Sequence, residues 1–266
     1  MLRPQGGNPP WRRGGKNPCL VVFSSSGWEL GTPKSSELWL KRPSKYGFVC
    51  VLPDFRNKDR FNGTPEECDS DARAAVRWVE DHSYELGIDR NKIVCLGVDA
   101  GGQMVEWTAL RDTGPGKDDP GAPETPPCGL ILINPVTDTK QGSGYGGSAK
   151  FGGSSERAAI ASVTERISKN MPPTLIFHAL GDDVVQYQNS KEFREKLVTN
   201  GGQADLVTLQ GLGHAYYDTK YGAAGRKALS ETTSQISDFF VKLGLVKAAD
   251  VKSSLNDDDE DDSGGE

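Results

Sequence analysis

The chain has 266 residues, 35% of them hydrophobic, enough for one large domain with a sizeable core or for two small ones. No apolar run approaches the roughly 20 residues that a membrane helix needs, so a membrane partner is not expected. The net charge of −6 is misleading, because residues 257–266 (DDDEDDSGGE) hold seven acids and no base; without them 30 acids face 31 bases. The body is therefore nearly neutral, which argues against a nucleic-acid partner.

Residues 1–18 (MLRPQGGNPPWRRGGKNP) are rich in Gly, Pro and Arg and read as an irregular lead-in. They contain no apolar segment of the kind a secretory signal carries, so a cytoplasmic protein is expected. Six short apolar runs follow: CLVVFSS (19–25), GFVCVLPDF (47–55), KIVCLGV (92–98), GLILINPV (129–136), TLIFHAL (174–180) and ADLVTLQ (204–210). Apolar throughout and rich in Val, Ile and Leu, they fit strands buried on both faces, as in a parallel sheet covered by helices. Helical patterns lie between them, over 65–86, 101–111, 155–169, 187–199 and 224–243. In the first, Pro65 and Glu66 open the helix and Ala72, Ala75, Val76 and Val79 form an apolar stripe. This alternation predicts a doubly wound α/β domain over 19–246, with a mostly parallel sheet of about six strands. Residues 112–127 and 139–155 are Gly- and Pro-rich and read as surface loops. Residues 247–266 read as a tail kept disordered by its like charges.

Cys19, Cys50, Cys68, Cys95 and Cys128 are irregularly spaced with no CxxC, and read as free thiols packed as small hydrophobes. With only three histidines in the chain, neither a metal nor an organic cofactor is implied.

Ligands of open α/β sheets bind beyond the carboxyl ends of the strands. Three loops there carry residues able to form a catalytic unit. GVDAGG (97–102) places Asp99 at the apex of a tight strand-to-helix turn. HALGDDVV (178–185) offers Asp182, and GLGHAYYD (211–218) offers His214. The order is apex residue, acid, histidine, which is the chain order of α/β-hydrolases.

These residues carry a resemblance across 19–243. LVVFSSSGWELG, GFVCVLPDFR, GIDRNKIVCLGVDAGG, PPTLIFHALGDDVVQYQNSKEFREKLVTNGG and GLGH stand in the order of corresponding motifs in the α/β-hydrolase superfamily. The chain resembles the small esterase/lipase branch that includes feruloyl- and acetyl-esterase-like proteins. The resemblance implies a small ester-like substrate or ligand, with Asp182 orienting His214. It also implies two antiparallel strands ahead of residue 19, where this sequence offers only the lead-in.

Two departures matter. Asp99 stands where the resemblance implies a serine nucleophile, and Ser24-Ser25-Ser26-Gly27 stands where it implies His-Gly-Gly-Gly. The turn through Ser25, Ser26, Gly27 and Trp28, together with Ala100, is the expected oxyanion and substrate-binding region. Serines restrict the backbone there, although their hydroxyls offer donors of their own. Trp28 and Trp107 are donors by position only, packing being the plainer role for each.

Three readings follow. The first is an esterase with weakened or altered hydrolysis. The second is a non-catalytic relative that binds a ligand or partner. The third is an Asp-nucleophile hydrolase of the dehalogenase or epoxide hydrolase type. A carboxylate can alkylate at saturated carbon but gives an unfavourable mixed anhydride at an acyl carbonyl. A histidine between two carboxylates is also held protonated, which removes it as a base.

Overall fold

The computed structural model describes residues 16–110, 121–140 and 147–252. Six strands form one sheet: β1 (Asn17–Ser25), β2 (Val49–Val51), β3 (Ile88–Asp99), β4 (Gly129–Ile133), β5 (Thr174–Ala179) and β6 (Ala204–Leu209). Their spatial order is β2-β1-β3-β4-β5-β6, and every pairing is parallel. The helices are α1 (Lys41–Lys45), α2 (Lys58–Phe61), α3 (Pro65–Asp81), α4 (Ser83–Leu86), α5 (Ala100–Ala109), α6 (Ser155–Ala161), α7 (Tyr187–Thr199) and α8 (Gly222–Lys242). The fold is thus the expected six-stranded α/β architecture, and its sheet is wholly parallel.

Strand alternation explains the uniformly apolar runs. In β1, Cys19, Val21 and Phe23 face a core shared with Ala72, Val76 and Met104. Leu20 and Val22 face the opposite core, with Trp39, Leu40 and Phe240. The central strands β1, β3, β4 and β5 bury both faces, as covered parallel sheets require, while β6 at the sheet edge is only partly covered. Four of the five cysteines are buried within these layers and Cys128 is partly buried; all five are free thiols.

Several boundaries differ from the sequence reading. The run at 47–55 pairs only over Val49–Val51, because Pro53 cannot donate to a ladder and the Asp54 carboxylate accepts from the Phe55 amide at 3.1 Å. The helix expected over 65–86 breaks at His82 into α3 and α4, and Gly87 closes the second piece at φ 69°. The helix expected over 155–169 stops at Ala161. Ser162 turns extended and donates its hydroxyl to Asp138, and Thr164 is drawn onto the Thr137 carbonyl. Residues 33–45, given no element from the sequence, form a 3-10 segment (Pro33–Leu40) leading into α1. A capping box between Thr32 and Ser35 starts it.

Within the expected loops, 147–151 forms a 3-10 turn, while 111–120 and 141–146 lie outside the described residues. The chain remains described through 247–252, where Val251 is buried; the acidic run beyond, and most of the lead-in, lie outside them. Among the described residues no helix is long and apolar enough to cross a membrane.

Candidate active site

β3 delivers Asp99 to the first position before α5 at φ 55° and ψ −122°, a conformation non-glycine residues rarely take. The turn is tight enough to exclude side chains around it. A Cβ on Gly97 would lie 2.3 Å from the Gly101 carbonyl oxygen, and one on Gly101 would lie 2.3 Å from that of Phe23. This is why the stretch reads GVDAGG: the glycines let the chain fold back against β1 and lift Asp99 above the sheet.

The structure brings the three expected residues together. His214 Nδ1 lies 2.8 Å from Asp182 Oδ2, and His214 Nε2 lies 3.7 Å from Asp99 Oδ1. The other Asp182 oxygen accepts from the amides of Val184 and Val185 at 2.9 and 2.8 Å. Burial disfavours the charged form of Asp182, but hydrogen bonds from His178 and His214 outweigh it and hold the carboxyl down at about 2. Burial likewise disfavours imidazolium at His214, yet the bonds and charges of Asp182 and Asp99 prevail and raise it to about 9. At neutral pH His214 is therefore a cation between two carboxylates.

Residues around the Ser-rich turn divide into two groups. The Gly27 amide donates to Asp99 Oδ2 at 3.0 Å, with both atoms buried. Gly27 and Trp28 adopt φ of 62° and 58°, which turns the peptide toward β3. The side chains expected to assist do other work. The Ser25 hydroxyl donates to the Leu30 carbonyl, and Ser26 is exposed and pairs through its backbone with Leu30. The Trp28 indole is buried, donating to Gln103 Oε1 at 3.1 Å and packing edge-on to Phe151. Trp107 donates to the Ala161 carbonyl. The Ser25 hydroxyl and the Trp28 indole thus brace the turn, which for Trp28 is the packing role expected as the plainer one. Ala100, at the start of α5, is fully buried. A cleft of about 220 Å³ opens beside the turn, bordered by Gly27, Trp28, Lys58, Thr64, Lys150 and Arg157.

Three supporting residues were missed in the sequence. Asn134, beyond β4 at φ 42°, donates from Nδ2 to the His214 carbonyl and accepts the Ala179 amide, so it ties the histidine loop to β5. Its signal was a polar residue directly after the apolar run GLILI. Gln103 bridges Trp28 to Asp69 and to the Ala161 carbonyl. His178 is fully buried between Ser190 Oγ and the Val185 carbonyl, with its Nε2 3.3 Å from Asp182.

A six-stranded parallel sheet with a strained apex residue after β3, an acid after β5 and a histidine after β6 defines the α/β-hydrolase fold. Comparison with known proteins finds likeness to several esterases and, over the C-terminal half, to a peptidase family. A family model described as BD-FAE matches residues 9–118, and one described as the prolyl oligopeptidase family matches 132–243. The chain is 24% identical over 216 residues to Esterase LipC of Mycobacterium tuberculosis, covering 75% of this chain and 53% of that protein. It is 25% identical over 207 residues to the probable carboxylic ester hydrolase LipM of the same organism, covering 70% of this chain and 47% of that one. It thus spans about half the length of the curated relatives it matches. Among solved structures, the thermophilic esterase Est2 of Thermogutta terrifontis with propionate bound superposes with a TM-score of 0.78 at 26% identity, covering 92% of this chain and 89% of that one. The same esterase phosphorylated by paraoxon gives 0.76 at 26% identity, covering 92% and 88%.

Proposed function

We propose that this chain is a relative of carboxylic ester hydrolases whose site binds a small ester-like molecule and does not turn it over by serine-type chemistry. The Gly27–Asp99 hydrogen bond carries this reading. An esterase needs free backbone donors aimed at the oxygen where charge develops in the transition state. Here such an amide is engaged by the carboxylate that stands in the nucleophile's place. The charge pattern acts in the same direction. An imidazolium held at about 9 between Asp99 and Asp182 is a poor proton acceptor at neutral pH. Acyl attack by Asp99 would also give a mixed anhydride, uphill of the ester.

Hydrolysis of short p-nitrophenyl esters tests the proposal. The protein should show kcat/KM near the uncatalysed background. Asp99→Ser frees the Gly27 amide and lowers the proton affinity of His214. It should raise kcat/KM by at least about 100-fold, a small part of what complete nucleophile–base units supply. Robust hydrolysis that persists in Asp99→Ala would overturn the reading.

One observation favours a second reading. The Gly27 amide holds Oδ2 and leaves Oδ1 facing His214, so an alkyl group could be taken at Oδ1. Attack at a saturated carbon would form an alkyl ester while halide, or the epoxide oxygen, leaves with the bonding pair. Water would later release the alcohol. A His214→Ala variant incubated with an alkyl halide or epoxide would then retain the added mass on the peptide containing Asp99. An unmodified peptide removes this second reading.

A further inference from the structure

A second cavity, of about 290 Å³, lies between the 33–45 segment and α8, and none of its lining residues borders the cleft beside the Gly27 turn. Its floor is apolar, formed by Trp39, Leu229 and Ile236. Among the described residues that line it are four cations, Lys41, Arg42, Lys45 and Arg226, and no carboxylate. Ser230, Thr233 and Ser237 add hydroxyls along one face of α8. Lys41 and Arg226 are exposed, and among the described residues neither of these two takes part in an ion pair of the fold, which draws instead on cations such as Arg56, Arg60, Arg77 and Arg157. An apolar chamber with a cationic rim suits a ligand that is apolar at one end and anionic at the other.

We propose that this cavity binds a medium-chain carboxylate, with its alkyl chain against Trp39, Leu229 and Ile236 and its head group at Lys41 and Arg226. At about 290 Å³ the chamber sits near the small end of ligand pockets, which run roughly 300–1,000 Å³, and suits a medium-chain rather than a long-chain ligand. Charge separates this site from the one at Asp99, where a carboxylate would meet two fixed carboxylates. The chain's own acidic run, 257–266, matches the rim in charge but has no apolar side chain to fill the floor.

Calorimetric titration of the full chain with decanoate, below its micellar concentration, tests the proposal. One saturable site is expected, with affinity at least about 10-fold weaker for neutral decanol and in Arg226→Glu or Lys41→Glu, each of which loses a charge-assisted contact. Ser230→Trp, an exposed substitution that fills the mouth, should also abolish binding. Asp99→Ser should leave it unchanged, so this site and the Asp99 site stand or fall separately. Absence of saturation, equal affinity for decanol, or indifference to both charge reversals overturns the proposal. So does binding confined to vesicles of anionic phospholipid, which assigns the rim to a membrane surface. Binding that appears only once residues 257–266 are removed assigns the groove to that segment instead, and overturns it too.

Discussion

At the scale of single residues, one substitution reorganises the centre. A serine at position 99 would present a neutral hydroxyl; Asp99 presents an acceptor that engages the Gly27 amide and faces the His214 ring. The histidine is placed by its loop as much as by its acid. Asn134→Ala would leave the Ala179 N–H and the His214 carbonyl without the partner they now share, at about 2–4 kcal/mol for the two groups. Chemical denaturation should show that loss, and in an Asp99→Ser background the same change should cut ester hydrolysis by more than about 10-fold. An unchanged midpoint would mean that other groups hold the loop. Asp99, Asp182 and His214 were legible in the sequence because each follows a strand-like run in a short polar loop. The Gly27 contact was not legible. It depends on left-handed backbone at Gly27 and Trp28, which no side-chain pattern encodes.

At the scale of elements, the packing of α3 on α5 holds an unusual pair of acids. Glu106, midway along α5, is fully buried, and neither of its carboxyl oxygens has a hydrogen-bond partner among the described residues. Burial, with Asp69 nearby, pushes its carboxyl well above the usual range. Burial does the same to Asp69 on α3, against the opposing hydrogen bond from Gln103. Glu106 therefore stays protonated in the folded protein while the unfolded chain ionises it above its ordinary value near 4.5. That difference costs stability increasingly as pH rises past 4.5. Glu106→Met should raise stability by about 1–3 kcal/mol at pH 7, with a larger gain at pH 8 than at pH 5 in urea unfolding. A loss at pH 8 would contradict it. The sequence shows this element as a helix over 101–111. The burial of Glu106 was not legible, because a charged residue in a helix ordinarily reads as a solvated face.

At the scale of the whole molecule, the six apolar runs were enough to give the sheet, since the central strands bury both faces and need no partner pattern to be recognised. Chain segments between strands were less legible. Residues 33–45 are short turns set by one capping box, and α6 ends where Ser162 and Thr164 find tertiary partners. The charge cluster links the site to global stability. His214 is raised to about 9 in the folded state, so its contribution is fully present below its ordinary 6.5 and is lost as pH climbs from 6.5 through 9. Asp182 is lowered to about 2, so its contribution is fully present above its ordinary 3.8 and is lost as pH falls through 2. Stability from this cluster should therefore be flat between about pH 4 and 6.5 and decline on both sides. His214→Gln should flatten the alkaline limb between pH 6.5 and 9, by roughly 3 kcal/mol at most. An alkaline limb of the same slope in that variant would show that other groups produce it.

The most direct measurement is an NMR titration of the His214 imidazole in the native protein and in Asp99→Asn. A pKa near 9 in the native chain, falling by about one unit or more once the Asp99 charge is gone, is the expected result. A histidine that titrates near 6.5 in both proteins would contradict the account, because it would be free to act as a base and would owe nothing to Asp99.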